Sequence, residues 1–324
     1  MPTRRLALSL ALSAAAAGRS QAAEASWTIA TEYPATAMPG EGITHFAEAA
    51  TRLASGALTV RPAYDAPGGL RSAGMLRAVA EGSPEAADAF TGALGGEAPI
   101  FQLSALPFLT ASTEDTTRLL AVARDAYAAT LGARGLALLY ATPWPASGIW
   151  SRNALADAAA LGGLRIRTYD AASTAVMRAA GAAPSQISFA DAMPRLRAGE
   201  LDAVLSSGDG GAGARLWEVL PHFTAIDYAS PLSLAFCRTA SLDALPASTR
   251  EAVLQAGRET EARQFRAIES RGTENETRMR ANGVTIAGTP AIRNALARAA
   301  APVIAEWETR AGEDGRRVLA RYRG

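Results

Sequence analysis

The chain has 324 residues, of which 49% are hydrophobic and 19% are charged, and its formal net charge is +1. This balance is ordinary for a soluble globular protein, and the length suggests roughly two domains. All 32 basic residues are arginines, which are scattered without interleaved aromatic residues. Because nucleic-acid binding needs a concentrated basic surface that displaces counterions, we expect no nucleic-acid partner.

Residues 1–23 have the pattern of an export signal. Two adjacent arginines precede a short apolar run over residues 6–17, and small residues follow. The run is shorter than the ~18 residues that a membrane helix needs, and no later run reaches that length. We therefore expect cleavage near Ala22 or Ala23, a periplasmic location and no stable membrane insertion. The paired arginines leave both the general and the twin-arginine export routes open.

The first half of the mature chain alternates apolar strands with amphipathic helices. Strand-like segments are Trp27–Ala30, Leu58–Val60, Glu85–Phe90 and Leu136–Tyr140, and helical periodicity covers Ile43–Leu53, Met75–Ala80 and Thr113–Gly132. Alternation of this kind predicts an α/β lobe.

The second half repeats that alternation. Strands are predicted at Leu164–Arg167, Gln186–Ser188 and Leu201–Leu205, with helices over Ala172–Ala180 and Phe189–Gly199 between them. Two short segments are similar, LRAVAEGSPEAADAF (76–90) and LRAGELDAVLSS (196–207). In both, a helical pattern is followed by a glycine, an acidic residue and an apolar strand. We therefore expect two similar α/β lobes with a crevice between them.

A long helix is predicted after the second lobe. Ser248 and Glu251 have the spacing of a capping box, and the helical pattern continues to Asn282, about 50 Å further at ~1.5 Å per residue. Such a helix can cross both lobes, and a further helical stretch, 291–322, breaks near Gly312. The predicted lobe boundaries are 24–147 with about 235–270 for the first lobe, and 148–234 with about 271–324 for the second.

Gly208, Gly210 and Gly213 form G-x-G-x-x-G, the spacing of a dinucleotide-binding turn. In this chain the motif follows several earlier strands instead of opening a domain, and an exported protein meets little free dinucleotide. We therefore interpret it as a loop at the carboxyl end of a strand, where ligands of open α/β sheets lie.

Few residues suited to metal binding or acyl transfer are present. Cys237 lies in an apolar segment and has no second cysteine to pair with, so we expect a buried thiol. His45 and His222 are far apart and lack metal-ligand spacing, and the sequence contains no G-x-S-x-G. We expect no metal site, no cofactor and no catalytic residues.

Five segments in order resemble the motifs of one known family. LGGLRIR (161–167) resembles its DLKGLKIR signature, FAD (189–191) its FSEVY segment, RAGELDA (197–203) its LQxGxVDG, FAE (46–48) with SG (55–56) its FAExVxExTGG, and LPFL (106–109) its LPFLF loop. The mature chain is thus similar, over essentially its whole length, to the solute-binding proteins of TRAP (tripartite ATP-independent periplasmic) transporters, the DctP-type family.

The resemblance implies an α/β, two-lobed periplasmic solute-binding protein fold with a long helix spanning both lobes. It also implies a binding protein without catalysis, whose lobes close around one organic acid. The closed protein would deliver that acid to TRAP membrane permease subunits.

Arg167 is the residue that the resemblance places against the ligand carboxylate. Independently, a guanidinium presents a fork of donors that matches a carboxylate, and Arg167 ends a predicted strand facing the crevice. The alternative is a surface arginine that pairs with Asp170 or is solvated. The family places an aromatic residue at the position of Phe189 and an asparagine at that of Ser206, whose shorter side chain could pass the contact to Ser207 or Asp209.

A second arginine of the family is replaced here by Trp150, which suggests fewer ligand charges and more apolar surface. We expect an apolar wall formed by Tyr33, Trp144, Trp150, Phe189 and Phe236, with Glu32 as a further candidate contact. The predicted ligand is a monocarboxylate, and an aromatic or branched 2-oxo or 2-hydroxy acid is the finer expectation.

Three other functions fit parts of the sequence. A periplasmic receptor that feeds a sensor would look the same as a transport receptor. An exported hydrolase would need a nucleophile and a base, for which two histidines leave little room. A scaffold without a ligand is the remaining alternative.

Overall fold

The structure is a computed structural model and describes residues 25–324. The strands are β1 (Ala25–Thr31), β2 (Leu58–Ala63), β3 (Ala86–Phe90), β4 (Leu136–Pro143), β5 (Ser147–Ser151), β6 (Arg165–Thr168), β7 (Ala183–Gln186), β8 (Ala203–Ser207), β9 (His222–Ala225), β10 (Leu232–Arg238) and β11 (Thr285–Gly288). The predicted export signal lies outside the described residues.

The α-helices are α1 (Met38–Leu53), α2 (Ser72–Glu81), α3 (Thr113–Gly132), α4 (Ala171–Ala179), α5 (Phe189–Arg197), α6 (Gly208–Gly213), α7 (Thr239–Asp243), α8 (Ala247–Ala281), α9 (Pro290–Arg310) and α10 (Gly312–Arg323). Short 3-10 helices occur at Pro67–Gly69, Thr91–Leu94, Pro99–Ala105, Ala158–Leu161 and Leu216–Glu218. Within residues 25–324, no helix has both the length and the hydropathy needed to cross a membrane.

The first lobe is built on a five-stranded sheet in the order β2-β1-β3-β10-β4. Strand β1 is parallel to β2 and β3, whereas β10 runs antiparallel between β3 and β4. Helix α3 shows how the sequence builds this lobe. Ser112 caps the helix by accepting a 3.1 Å hydrogen bond from the backbone N–H of Asp115, and Leu119, Ala123 and Tyr127 recur at helical spacing on its buried face.

The second lobe is built on a six-stranded sheet in the order β11-β9-β5-β8-β6-β7. Strand β6 is parallel to β7 and β8, and β5 is antiparallel to β8 and β9. Two caps fix the helices nearest the crevice. Asp170 forms a capping box with Ser173 at the start of α4, and the Ser188 hydroxyl accepts the Asp191 N–H at the start of α5.

The long helix predicted from sequence is confirmed as α8, a single helix of 35 residues. It packs against α1 and β4 in the first lobe and against α6 and β11 in the second, so it spans both. The predicted capping box at its start is wrong. Pro246 occupies the N-cap position, and no side chain caps the helix there.

The last two helices return the chain to the first lobe. The predicted break lies at Gly312, whose positive φ of 67° suits glycine. Trp307, Val318, Leu319 and Tyr322 are buried in the same core as α3 and β10. The predicted boundary therefore needs correction, because 271–324 does not lie wholly with the second lobe: its final part completes the first.

The glycines of the G-x-G-x-x-G motif have a packing role. They form helix α6 itself, which Ser207 caps by accepting the Gly210 N–H at 3.1 Å. A methyl group on the neighbouring Gly211 would overlap the indole ring of Trp150, so α6 lies directly on that ring. Close approach of the backbone to side chains requires glycine at Gly211 and at the motif position Gly210, where a Cβ atom would lie 2.7 Å from the Ser206 hydroxyl oxygen.

Candidate functional site

A cavity lies between the lobes where several strands end. It encloses about 330 Å³ of empty space, counted out to its opening. Its lining residues are Tyr33, Phe90, Trp144, Ser147, Arg167, Tyr169, Phe189, Ser206, Ser207 and Pro231. Most of them stand at or just beyond strand ends, the position at which α/β sheets bind ligands.

Arg167 is held rigidly in the cavity wall. Its Nε atom donates to the carbonyl oxygen of Ile187 at 2.8 Å, and its Nη1 atom donates to that of Leu205 at 3.2 Å. The residue is 4% exposed, and burial lowers the pKa of its guanidinium. Among residues 25–324, no carboxylate lies within 4.0 Å of it as a salt-bridge partner. The carboxylates of Glu32 and Asp170 act on the guanidinium only from beyond that distance, so an anion in the cavity would supply the direct ion pair that a buried charge needs.

The predicted alternative, a surface arginine paired with Asp170, is wrong. Arg167 is buried, and the Asp170 carboxylate is engaged in capping α4, where its Oδ1 atom accepts the Ser173 N–H at 2.7 Å. Burial raises the pKa of Asp170 to about 6, and hydrogen bonds from Ser173 and Gln102 oppose that shift.

Aromatic rings form the apolar part of the cavity. Tyr33 packs edge-on against Trp144 with ring centroids 4.7 Å apart, and lies 5.9 Å from the ring of Phe189. The Arg167 guanidinium lies over Phe189 at 5.5 Å from its centroid. The Trp144 Nε1–H donates to the Ser233 hydroxyl at 3.0 Å, which fixes the indole in place. The cavity therefore combines one cation with flat apolar surfaces, which suits an acid with a compact apolar body.

Hydroxyl groups provide the remaining polar surface. Ser147, Ser206 and Ser207 line the cavity, and Ser206 is the most exposed of them at 8%. A Cβ atom at Gly210 would lie 2.7 Å from the Ser206 hydroxyl oxygen, which is too close. Glycine at this position therefore avoids a clash with the hydroxyl. These groups can donate to or accept from a ligand without adding charge.

Four predicted site residues do not line the cavity, and three of them, Trp150, Phe236 and Asp209, lie away from it altogether. Trp150 is fully buried in the second lobe, where its Nε1–H donates to the Ser207 carbonyl at 3.1 Å and its ring packs on Phe223. Phe236 lies further along β10 in the core of the first lobe. Asp209 faces away from the cavity, toward α1 and α8. The inference that Trp150 adds apolar surface for the ligand is therefore wrong.

Glu32 lies in a recess of about 470 Å³ next to the cavity. The recess shares Tyr33, Arg167 and Phe189 with the cavity. The Glu32 carboxylate is 4% exposed and accepts two backbone N–H groups, from Ser72 at 2.9 Å and from Ala190 at 3.3 Å. Both carboxylate oxygens of Glu32 thus accept hydrogen bonds from the protein backbone, one from each lobe.

Four lining residues were not predicted from the sequence: Phe90, Ser147, Tyr169 and Pro231. Tyr169 lies two residues after Arg167, and side chains two residues apart in extended backbone point to the same face. This spacing is the one sequence signal that predicts Tyr169 beside Arg167. Phe90 ends β3, Ser147 begins β5 and Pro231 precedes β10. Their placement depends on strand pairings between distant segments, which the sequence pattern did not reveal.

The profile of a protein family described as "Bacterial extracellular solute-binding protein, family 7" (DctP) matches residues 29–310. Among curated proteins, none is significantly similar to the chain. Many solved structures are similar to it.

Two crystal structures combine high structural similarity with moderate identity. One is DctP7 of Bordetella pertussis, an extracytoplasmic solute receptor binding pyroglutamic acid, with 27% identity, a TM-score of 0.89, and coverage of 92% of this chain and 99% of that one. The other is a marine metagenome TRAP solute-binding protein in complex with co-purified pyroglutamate, with 26% identity, a TM-score of 0.87, and coverage of 94% and 99%.

A third structure shares the fold at lower identity. It is a TRAP periplasmic solute-binding protein from Xanthobacter autotrophicus with bound β-D-galacturonate. The identity is 14%, the TM-score is 0.84, and 91% of this chain and 98% of that chain are covered.

Proposed function

The chain belongs to the DctP family of bacterial extracellular solute-binding proteins, and we propose that it captures a monocarboxylate in the cavity beside Arg167. In this role it would be the periplasmic receptor of a TRAP transporter and would deliver the acid to the membrane permease. The family and the relatives described above are binding proteins, which argues against the hydrolase alternative, and none of the comparisons favours a receptor that feeds a sensor.

The observation that carries the proposal is the buried, unpaired guanidinium of Arg167. Two backbone carbonyls orient the group, and a ligand carboxylate would supply the missing negative charge. Within the described part of the chain, Arg167 is also the single charged residue that lines the cavity. A second ligand carboxylate would therefore be desolvated without a cation, which disfavours dicarboxylates.

The chemistry of the cavity surface narrows the ligand class further. Aromatic faces and neutral hydroxyls favour a compact body with a small number of hydrogen-bonding groups. Pyroglutamate, which two relatives bind, has this character, and so do small 2-oxo and 2-hydroxy acids with a branched or aromatic side chain. We propose this group of acids as the ligand class.

The experiment is a thermal-shift screen of the mature protein, followed by calorimetry on the acids that stabilise it. The panel contains pyroglutamate, branched and aromatic 2-oxo and 2-hydroxy acids, succinate and galacturonate. A ligand at 100 times its Kd adds ~2.7 kcal/mol to the free energy of unfolding. We expect stabilisation by monocarboxylates from the proposed class and none by succinate.

Two variants test the role of the arginine. Arg167→Met removes the charge but keeps much of the side-chain volume, so we expect the ligand-induced shift to vanish while the ligand-free protein is as stable as wild type or more so. Arg165→Met is the control, because Arg165 lies on the same strand in an exposed ion pair with Asp202. Stabilisation by acids that persists in Arg167→Met would overturn the proposed site.

A further inference from the structure

Five consecutive residues of the second lobe, 187–191, connect the anion-binding arginine to the first lobe. At one end, the Ile187 carbonyl accepts the 2.8 Å hydrogen bond from Arg167. Ser188 then caps α5, accepting the N–H of Asp191 at 3.1 Å, so the segment is rigid. The position of Arg167 and the position of the first turn of α5 are therefore mechanically linked.

The next three residues of the segment each meet the first lobe. The ring of Phe189 packs on Tyr33, the Ala190 N–H donates to Oε1 of Glu32 at 3.3 Å, and Asp191 forms a 2.5 Å ion pair with Arg71. Phe189 also lines the cavity, so ligand contact and lobe contact occur side by side.

Glu32 is the buried member of these contacts. Its Oε2 atom accepts the Ser72 N–H, which opens α2, while its Oε1 atom accepts the Ala190 N–H in the first turn of α5. The carboxylate thus lies between the positive ends of two helices from different lobes. The half-exposed pair of Arg71 and Asp191 lies immediately beside it, at residues adjacent to Ser72 and Ala190.

From this arrangement we propose that Glu32 is a positioning residue that holds residues 187–191 against the first lobe and so sets how long a ligand stays in the cavity. The inference rests on the proposed function. Separation of the lobes breaks the Glu32–Ala190 and Arg71–Asp191 contacts. It leaves the contacts within one lobe, Glu32–Ser72 and Arg167–Ile187, intact. A bound ligand can leave only when these contacts are broken, so their loss affects dissociation more than association.

The first test measures association and dissociation rates of L-pyroglutamate by stopped flow. Glu32→Gln removes the charge between the helix ends, and we expect dissociation to accelerate about ten-fold or more, with association within about three-fold of wild type. Asp191→Asn, at a half-exposed position that does not threaten folding, is expected to change the rates in the same direction by a smaller factor.

Matched controls have the same chemistry within one lobe. Glu85→Gln alters a carboxylate that accepts the Thr28 N–H at 2.8 Å inside the first lobe. Arg165→Gln breaks the 2.5 Å ion pair with Asp202 inside the second lobe. We expect both controls to retain wild-type rates. Equal acceleration in the controls, or an unchanged dissociation rate in Glu32→Gln, would overturn the proposal.

A second measurement does not need a ligand. Spin labels at Arg77→Cys in the first lobe and Arg178→Cys in the second, in a Cys237→Ser background, report the distance between the lobes. In the ligand-free protein we expect Glu32→Gln to shift the distance distribution toward longer values, and Glu85→Gln to leave it unchanged. If wild type does not bind pyroglutamate, the choice of ligand under the proposed function fails, while this measurement still decides the role of Glu32.

Discussion

The Oδ2 atom of Asp209 accepts a 2.7 Å hydrogen bond from the backbone N–H of Met38, a residue 171 positions earlier in the chain. Met38 opens α1 in the first lobe, whereas Asp209 belongs to α6 in the second. The Asn275 side chain donates to the same carboxylate at 3.2 Å, and Arg271 lies 3.6 Å from it, both from α8. One buried carboxylate thus joins the long helix to a helix of each lobe.

We expect Asp209→Ala to lower the free energy of unfolding by about 3 kcal/mol, measured by urea denaturation. The substitution leaves the Met38 N–H without its acceptor and removes a buried partner of Arg271, and both losses are expensive in a buried site. Asp202→Ala is the control, since its exposed ion pair with Arg165 should contribute less than ~1 kcal/mol. Similar losses in the two variants would contradict the bridging role of Asp209.

Trp144 should report ligand binding through its fluorescence. The indole lines the cavity against Tyr33, so a bound acid changes its surroundings directly. We expect Trp144→Phe to lose most of the ligand-induced emission change and to bind about ten-fold more weakly, because ring area and the bond to Ser233 are lost. Trp217→Phe, remote from the cavity beneath Arg278, should keep the full response. A response that survives in Trp144→Phe would place the ligand elsewhere.

Asp88 should make stability fall as the pH rises. Burial raises the pKa of this carboxyl to about 7, whereas hydrogen bonds from Ser233 and Thr142 oppose the shift. The folded state therefore holds the proton between pH ~4 and ~7, where the unfolded chain has released it, and stability from this group is lost as the pH rises through that window. The loss is on the order of 4 kcal/mol.

The measurement is the free energy of unfolding as a function of pH in wild type and Asp88→Asn. We expect the stability of Asp88→Asn to lack the decrease between pH ~4 and ~7 that Asp88 causes. Above pH ~7 the variant should be more stable than wild type, because a neutral amide is not ionised in the buried site. Asp314→Asn alters an exposed carboxylate and should follow the wild-type curve. Parallel curves for wild type and Asp88→Asn would show that Asp88 is ionised throughout.

Gly211→Ala should destabilise the second lobe. The new methyl group would overlap the Trp150 ring, and overpacking of a buried contact costs about 1–3 kcal/mol. Gly272→Ala is a matched change in α8, where a Cβ atom meets nothing within 4 Å, and it should raise stability by ~0.5–1 kcal/mol. Melting temperatures that move in opposite directions would agree with this account, and a neutral Gly211→Ala would contradict it.

Much of the cavity could be predicted because its residues stand at strand ends or in recognisable motifs. Arg167 lies near the end of β6, in the segment that resembles the family signature, and Phe189 opens a capped helix. These local patterns predict that the side chains lie at the carboxyl edge of a sheet, even when the order in which the strands pair is unknown. The α/β class, the two lobes and the spanning helix followed from the same local patterns, and the structure confirms them.

The wrong prediction for Trp150 has a physical cause, which is the direction of a side chain within a buried strand. All five residues of β5 are buried, so the sequence of that strand shows no alternation between a polar and an apolar face. Ser147 lines the cavity, whereas Trp150, an odd number of positions later, points to the opposite face and packs on α6. Phe236 was misplaced for a related reason, because β10 inserts between strands far from it in sequence.

The return of α9 and α10 to the first lobe has a consequence for the order in which the protein can fold during synthesis. Strand β3 emerges early, yet its neighbour β10 and the core residues Leu319 and Tyr322 are made much later. Until then the nascent first lobe exposes an unpaired sheet edge and part of its apolar interior, which are the features that recruit chaperones or cause aggregation. The sheet of the second lobe is complete at residue 288, whereas the core of the first lobe still lacks Leu319 and Tyr322 at that point. The part of the chain made earliest is therefore the last to be finished.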